Sequence, residues 1–228
     1  MNNKKNRIVV ILVMMVISLS GFSQTGKQDY ERFKKVYDRA MKYNDFPVAK
    51  NALYNMLAAD PENDSVLYTL AYYYFDSQSY ASCLMVCMDI IAKNPNELGI
   101  IEAMAVSYEN LGLLQKSLEA YEKLYLLTDN INSLYKTTFI QFELKRYDEC
   151  ETNIDILLSK KEVDELKLVY TFEENKQEEF PMRVSVLNLK GALLIQQGDT
   201  VEARKTFEEV LALAPNFKLA KENLASLK

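Results

Sequence analysis

A 34-residue period is the feature that most restricts what this chain can become. Pro61 and Pro95 stand 34 positions apart, each behind an apolar run with helical spacing. Their neighbours keep the same step. Ala49, Cys83 and Ser117 are small, Leu53, Cys87 and Tyr121 follow four later, Phe33, Leu67 and Ile101 open each unit, and Ala40, Tyr74 and Tyr108 form a further set. A helical hairpin of this size leaves apolar surface exposed, so at least three must stack before the array is stable.

The spacing inside one unit predicts how it pairs. In "SVLYTLAYYYF" the residues Leu67, Leu70, Ala71 and Tyr74 form one buried stripe of a helix. Ala71 and Cys83 are small enough to let two helix axes approach. Asn63, Asp64, Ser65 and Asn96 offer oxygens for capping, and Pro61, Pro95 and Pro215 stop the preceding helices because the ring cannot continue the hydrogen-bond ladder.

These residues resemble the tetratricopeptide repeat family, whose unit is a 34-residue helical hairpin. The clearest copy is "VLNLKGALLIQQGDTVEARKTFEEVLALAPN", where the family's small residue is Gly191, its alanine Ala203, its aromatic Phe207 and its closing proline Pro215. In "AVSYENLGLLQKSLEAYEKL" the matching residues are Ala105, Tyr108, Leu111, Gly112, Ser117 and Tyr121. The resemblance implies an all-α solenoid of antiparallel helix pairs in a right-handed superhelix. Repeats are expected at about 30–63, 64–97, 98–130, 131–160 and 184–217, with a closing helix over 216–227. The fourth copy departs from the pattern: Lys145 replaces the usual Gly, Cys150 comes 33 rather than 34 residues after Ser117, and no Pro closes it.

Residues 161–183 do not fit the period. Leu168, Tyr170 and Phe172 alternate with Val169 and Thr171, as in a strand, and Glu174-Asn175-Lys176 can turn the chain toward a second extended piece ending at Phe180-Pro181. Val163, Leu166 and Val169, at steps of three, suit a helix instead. The first reading gives a small β-hairpin insert, serving as a spacer folded over the array or as a partner contact.

The first residues differ from the rest. Lys4, Lys5 and Arg7 precede the uncharged run Ile8 to Leu19 and the small residues Ser20, Gly21 and Ser23, the pattern of a secretory signal peptide over 1–23. The run is shorter than the roughly 18–20 residues that span a bilayer. Cleavage is expected to leave Gln24 first in a mature array of 24–228, with no Cys at the cut to carry a lipid. A periplasmic or secreted address follows, without stable membrane insertion after cleavage. Removing the three cations takes the net charge from −5 to −8, a field that repels nucleic acid and anionic membrane surfaces.

The composition argues against catalysis. There is no His, hence no histidine general base and no histidine metal ligand. None of the six Gly residues stands in a phosphate-cradling spacing. Cys83, Cys87 and Cys150 fall at interior positions of second helices, where a small apolar group is wanted. No cofactor and no metal are expected, and the chain is read as non-enzymatic.

The resemblance also implies a concave groove lined by side chains of the first helices. Carried onto this sequence, the groove would present Tyr68, Tyr72 and Phe75, then Glu102 and Glu109, then Tyr135, Phe139 and Phe142, aromatic at both ends and acidic between. The same rings could instead pack against their neighbours. The expected function is an envelope scaffold or adaptor for a protein or peptide of unknown identity, with a permanent structural subunit as the alternative. A co-chaperone-like tail binder is disfavoured, since the positions that would clamp a carboxylate hold Lys34, Asp38, Thr69, Gly99 and Ala103, and only Lys34 suits the task.

Overall fold

The computed structural model describes residues 26–172 and 176–227. The expected signal peptide and its cut before Gln24 lie outside them. The described chain forms two compact units, one through Ala103 and one from Met104.

The first unit contains α1 (26–42), α2 (Phe46–Ala59), α3 (Asp64–Asp76), α4 (Tyr80–Lys93) and the start of α5 (Leu98–Asn110). The second contains the rest of α5, then α6 (Leu114–Thr128), α7 (Ile131–Glu143), α8 (Tyr147–Ser159), the short α9 (Glu162–Glu165), β1 (Lys167–Thr171), β2 (Gln177–Pro181), α10 (Met182–Gln197), α11 (Thr200–Leu213) and α12 (Lys218–Ser226).

One turn joins every helix pair. A residue in the left-handed region follows the first helix each time: Asn44 (φ 56°), Gln78 (56°), Gly112 (70°), Lys145 (60°) and Gly198 (85°). The next amide bonds back to a carbonyl five residues earlier, Asp45 to Ala40, Ser79 to Tyr74, Leu113 to Tyr108, Arg146 to Gln141 and Asp199 to Leu194, at 2.8–2.9 Å. This is a Schellman closure, and it satisfies carbonyls that a helix end would otherwise orphan. Lys145 therefore keeps the turn in place of the usual Gly, at a conformational cost. Lys145→Gly should raise stability by about 1 kcal/mol in urea denaturation, because it relieves a left-handed conformation that L side chains disfavour.

The prolines act on the opposite ends. Asp60, Asn94 and Ala214, each just before a Pro, share an extended backbone with φ from −125° to −143° and ψ from 81° to 84°. A following proline ring enforces that region. The third pair lacks the Pro and ends on a left-handed Asp129 instead.

The small residues Ala49, Cys83, Ser117, Cys150 and Ala203 are all fully buried at 0% exposure, where the two helices of each pair touch. Sequence spacing was slightly off in two details. On α3 the buried residues are Val66, Leu70 and Ala71, so the stripe is rotated and Leu67 is only half-buried. Asn63 makes no side-chain cap; its amide goes to Asp60 and its Oδ1 accepts the Ser65 hydroxyl at 2.6 Å. Side-chain caps occur at Asp45, Asn130 and Asp199.

The insert resolves into both patterns in sequence. Residues 162–165 are helical, with Val163 buried, and β1 and β2 pair antiparallel with Leu168 opposite Phe180 and Tyr170 opposite Glu178. Arg183 clamps its start by bonding to Asp164 and to the Leu158 carbonyl. Its inner face is aromatic: Tyr170 meets Phe217 edge-on at 5.2 Å and Phe180 meets Phe217 at 5.0 Å. These rings join Ala203, Phe207 and Val210 in one core, which is why a two-stranded sheet, marginal alone, is stable here.

Candidate functional site

The eight residues singled out for a groove fall into two environments. In the first unit, Tyr68 is half-buried and accepts a long bond from the Asn94 amide at 3.4 Å. Phe75 turns toward α4, edge-on to Tyr80 at 6.4 Å. Glu102 is exposed. Tyr72 is 42% exposed, and its hydroxyl lies where a side chain at residue 99 would begin, 2.5 Å from the ideal Cβ position of Gly99. The absence of a side chain there lets the ring lie along α5. Burial raises the Tyr72 hydroxyl above its ordinary pKa, with Glu97 adding to the shift.

Beside Tyr72 opens a cleft of about 460 Å³ between α1, the start of α2, and α3. Tyr37, Met41, Phe46 and Tyr73 supply its apolar wall, and Thr69, Asp76 and Ser77 its polar edge. Tyr73 is fixed by donating to the Phe46 carbonyl at 3.0 Å, while Phe46 itself is 48% exposed. Sequence reasoning missed Tyr37, Met41, Phe46 and Tyr73. The positions carried over from the family select one face of each first helix, whereas this cleft takes Tyr72 from that face and adds residues of α1, Tyr73 and the start of a second helix. Lys34, the one residue suited to a carboxylate clamp, is bound by Asp38 Oδ2 at 3.0 Å.

In the second unit the corresponding residues are occupied. Glu109 accepts from the Tyr121 hydroxyl at 3.1 Å and from Lys136 Nζ at 2.8 Å. Tyr135 and Phe139 lie 4.6 Å apart, Phe142 and Tyr147 5.8 Å apart, and all four pack against the cluster of Leu134, Cys150, Ile154, Met182 and Val186. The Tyr135 hydroxyl meets Ser185 Oγ at 2.8 Å, and the same oxygen meets the Tyr170 hydroxyl of the hairpin at 2.6 Å. Burial drives the Tyr135 hydroxyl far above the ordinary tyrosine range, so it stays protonated.

Ser185 thus ties α7, α10 and the hairpin together through three hydroxyls. Ser185→Ala would remove the shared partner of two part-buried phenols, and a loss of roughly 1–3 kcal/mol is expected in urea denaturation. A loss below about 0.5 kcal/mol would mean that water takes over the bonds.

The thiols are interior groups. Cys83, Cys87 and Cys150 are buried and form no disulfide, with the first two sulfurs 3.7 Å apart. Burial pushes the Cys150 thiol up to about 12, away from thiolate chemistry. Among the described residues no three His, Cys, Asp or Glu side chains are placed to hold a metal ion, and no helix is long and apolar enough to cross a membrane.

Comparison with known proteins follows the same lines. Residues 184–217 match the tetratricopeptide repeat family model. No curated protein matches the chain at a significant level. The structure is similar to a tetratricopeptide repeat protein from Parabacteroides merdae, with a TM-score of 0.64 and 19% identity, over 88% of this chain and 72% of that one. It is similar to YrrB, described as a TPR protein with an unusual peptide-binding site, at a TM-score of 0.66 and 10% identity, over 87% of this chain and 93% of that one. A MamA protein aligns at a TM-score of 0.60 and 15% identity, over 88% and 96% of the two chains. At these identities the likeness is one of fold. The chain therefore has a fold of the tetratricopeptide type, antiparallel helix pairs carrying one small antiparallel hairpin.

Proposed function

We propose that this protein is an exported, non-catalytic adaptor that holds a segment of another protein against the open aromatic face of its first unit. The observation that carries the reading is the cleft of about 460 Å³ beside Tyr72, lined by Tyr37, Met41, Phe46 and Tyr73 with Asp76 at its edge. Its volume lies in the range of binding pockets, and its lining is mainly apolar with a few polar groups, the usual make-up of such sites. Of the residues carried over from the family, Tyr72 and Glu102 are the exposed ones and serve as contacts, whereas Tyr135, Phe139 and Phe142 support the second unit from within. The likeness of fold to YrrB supports a peptide as occupant, by analogy of architecture.

Affinity capture from envelope extract tests this directly. The wild-type chain should retain a protein that the double variant Phe46→Ala, Tyr72→Ala does not. Equal retention by both would remove the cleft from the reading. The export half is tested by N-terminal sequencing of the mature protein, expected to begin at Gln24, whereas intact Met1 in the membrane fraction would indicate an anchor instead.

A second reading, a permanent subunit of an envelope assembly, draws on other exposed apolar side chains such as Met85 at 72%. An adaptor should be monodisperse when purified alone, and an obligate subunit should dimerise or aggregate.

A further inference from the structure

The repeat period gives a first helix a face that the preceding helix pair covers. On α3 that face is Val66, Leu70 and Tyr73: the first two are buried, and Tyr73 donates to the Phe46 carbonyl of the preceding pair at 3.0 Å. On α7, two periods on, it is Leu134, Thr138 and Gln141, all buried, with the Gln141 amide reaching Glu122 of α6 at 3.5 Å. One period before α3 the same positions hold Arg32, Val36 and Arg39 of α1, and all three are exposed.

That uncovered face borders an open groove of about 730 Å³ between the second half of α1 and the start of α2. Val36, Tyr43 and Val48 give the groove its apolar lining, and they are 40%, 68% and 42% exposed. Beside them runs a basic rim of Lys35, Arg39 and Lys42. Steps of four and three residues align the three cations along about two turns of helix.

The solvated end of a helical array is expected to be polar, with its charges interspersed. This groove departs from that on both counts. Three large apolar side chains stay open, and none of the three rim cations forms an ion pair or a side-chain hydrogen bond among the described residues. The two carboxylates of the groove are already engaged. Asp38 accepts from Lys34 Nζ at 3.0 Å, and Asp45 caps α2 by accepting from the Val48 amide at 3.3 Å. The groove is therefore an apolar strip beside unmatched positive charge, in a chain whose net charge is −5.

We infer that this groove receives an acidic amphipathic helix of a protein partner, whose apolar side chains lie on Val36, Tyr43 and Val48 and whose carboxylates meet Lys35, Arg39 and Lys42. A helix fits because a helix pair covers the equivalent face of α3 and of α7, and an apolar stripe laid into a groove is a common way for one helix to bind. Charge selects the source. A second copy of the chain would offer α1, with the same three cations, or the closing helix α12, with Lys218 and Lys221 against the single Glu222. Like charges facing one another disfavour both. The first residues of this chain carry Lys4, Lys5 and Arg7 and no carboxylate before Asp29, so they are repelled as well. A nucleic acid or an anionic bilayer would meet the negative field of the whole chain, whereas a short helix meets only the groove. The inference is independent of the cleft beside Tyr72, which is lined by Tyr37 and Met41 of α1, and it stands if that reading fails.

The test is a titration of the isotope-labelled full chain, followed by amide chemical shifts, with an acetylated and amidated peptide of two repeats of Glu-Leu-Ala-Ala-Glu-Leu-Ala. Its carboxylates and leucines recur at the same steps of four and three. One control peptide has Gln for every Glu, a second has Lys for every Glu, and vesicles of phosphatidylglycerol supply negative charge without a peptide. The Glu peptide should shift the resonances of Val36, Arg39, Tyr43 and Val48 and bind about tenfold more tightly than the Gln peptide. The double variant Lys35→Glu, Arg39→Glu should keep its melting temperature, since both side chains are exposed, and should reverse the order so that the Lys peptide binds it best. Equal binding of the Glu and Gln peptides, or an unchanged order in the double variant with its fold intact, would overturn the charge pairing. Shifts at Tyr37, Met41 and Tyr72 in place of these would move the peptide to the cleft and overturn the groove. No shifts at millimolar peptide would leave a solvated helix face only. Concentration-dependent shifts at Val36 and Tyr43 without peptide would make the occupant a second copy, and the same shifts with vesicles but not with the Glu peptide would make it a lipid surface; either overturns the protein partner.

Discussion

Phe207→Ala is expected to cost about 3–5 kcal/mol, the scale for emptying the space of a fully buried ring. Phe207 is 0% exposed and lies in the core shared by α10, α11, α12 and the hairpin. Its ring is pressed against the backbone of α10 at Gly191, where a Cβ would fall 2.5 Å from Cε1, 2.7 Å from Cζ and 2.9 Å from Cδ1. Gly191→Ala should therefore cost roughly 1–3 kcal/mol by overpacking. Combined with Phe207→Leu it should cost less than the two single changes added, because the smaller side chain makes room for the methyl group. Urea denaturation of the four proteins measures this coupling. Additive losses would show that Gly191 matters through its backbone and not through the ring. Because stacked repeats depend on nearest neighbours, amide exchange in Phe207→Ala should accelerate first in α10 to α12.

The second large effect separates two aromatic stripes that look alike in sequence. Phe139→Ala should lower stability by about 2–4 kcal/mol, somewhat below a fully buried ring because Phe139 is only partly enclosed by its core cluster. Tyr72→Ala removes a ring that is 42% exposed and should cost less than about 1 kcal/mol of stability. If the proposed cleft binds a partner, Tyr72→Ala should weaken that binding by roughly 1–3 kcal/mol. One melting curve for each variant, with an affinity measurement beside it, distinguishes the roles. A large stability loss for Tyr72→Ala, with binding unchanged in the folded fraction, would remove Tyr72 from the site and leave the scaffold without an assigned contact.

What the sequence determined by itself is everything that depends on local spacing. The 34-residue step placed Ala49, Cys83 and Ser117 at the touching points of their helix pairs, Cys150 comes one residue short of that step, the family resemblance placed Ala203, and all five are fully buried. Close packing of two helix axes admits only small groups there, so composition at those points reports geometry directly. The prolines likewise announced the extended residues before them, since the pre-proline restriction acts on the immediate neighbour. The alternation from Leu168 to Phe172 announced a strand, and the aromatic residues on that strand's inner face are those that meet Phe217 and Phe180.

Tertiary structure decided what the rings do. Tyr72 and Phe139 occupy comparable faces of first helices, and nothing in their local sequence tells them apart. The difference comes from the neighbours. In the second unit α10 and the hairpin bring Ser185 and Tyr170 up to Tyr135, so that stripe is covered and its hydroxyl is bonded. In the first unit Tyr72 lies against Gly99, which has no side chain to cover it, and the ring stays 42% exposed. The cleft of Tyr37, Met41, Phe46 and Tyr73 was equally invisible in sequence, because it depends on which side chains of different helices come together. Periodicity fixes what a residue's own helix demands, but exposure is set by the elements that pack across it.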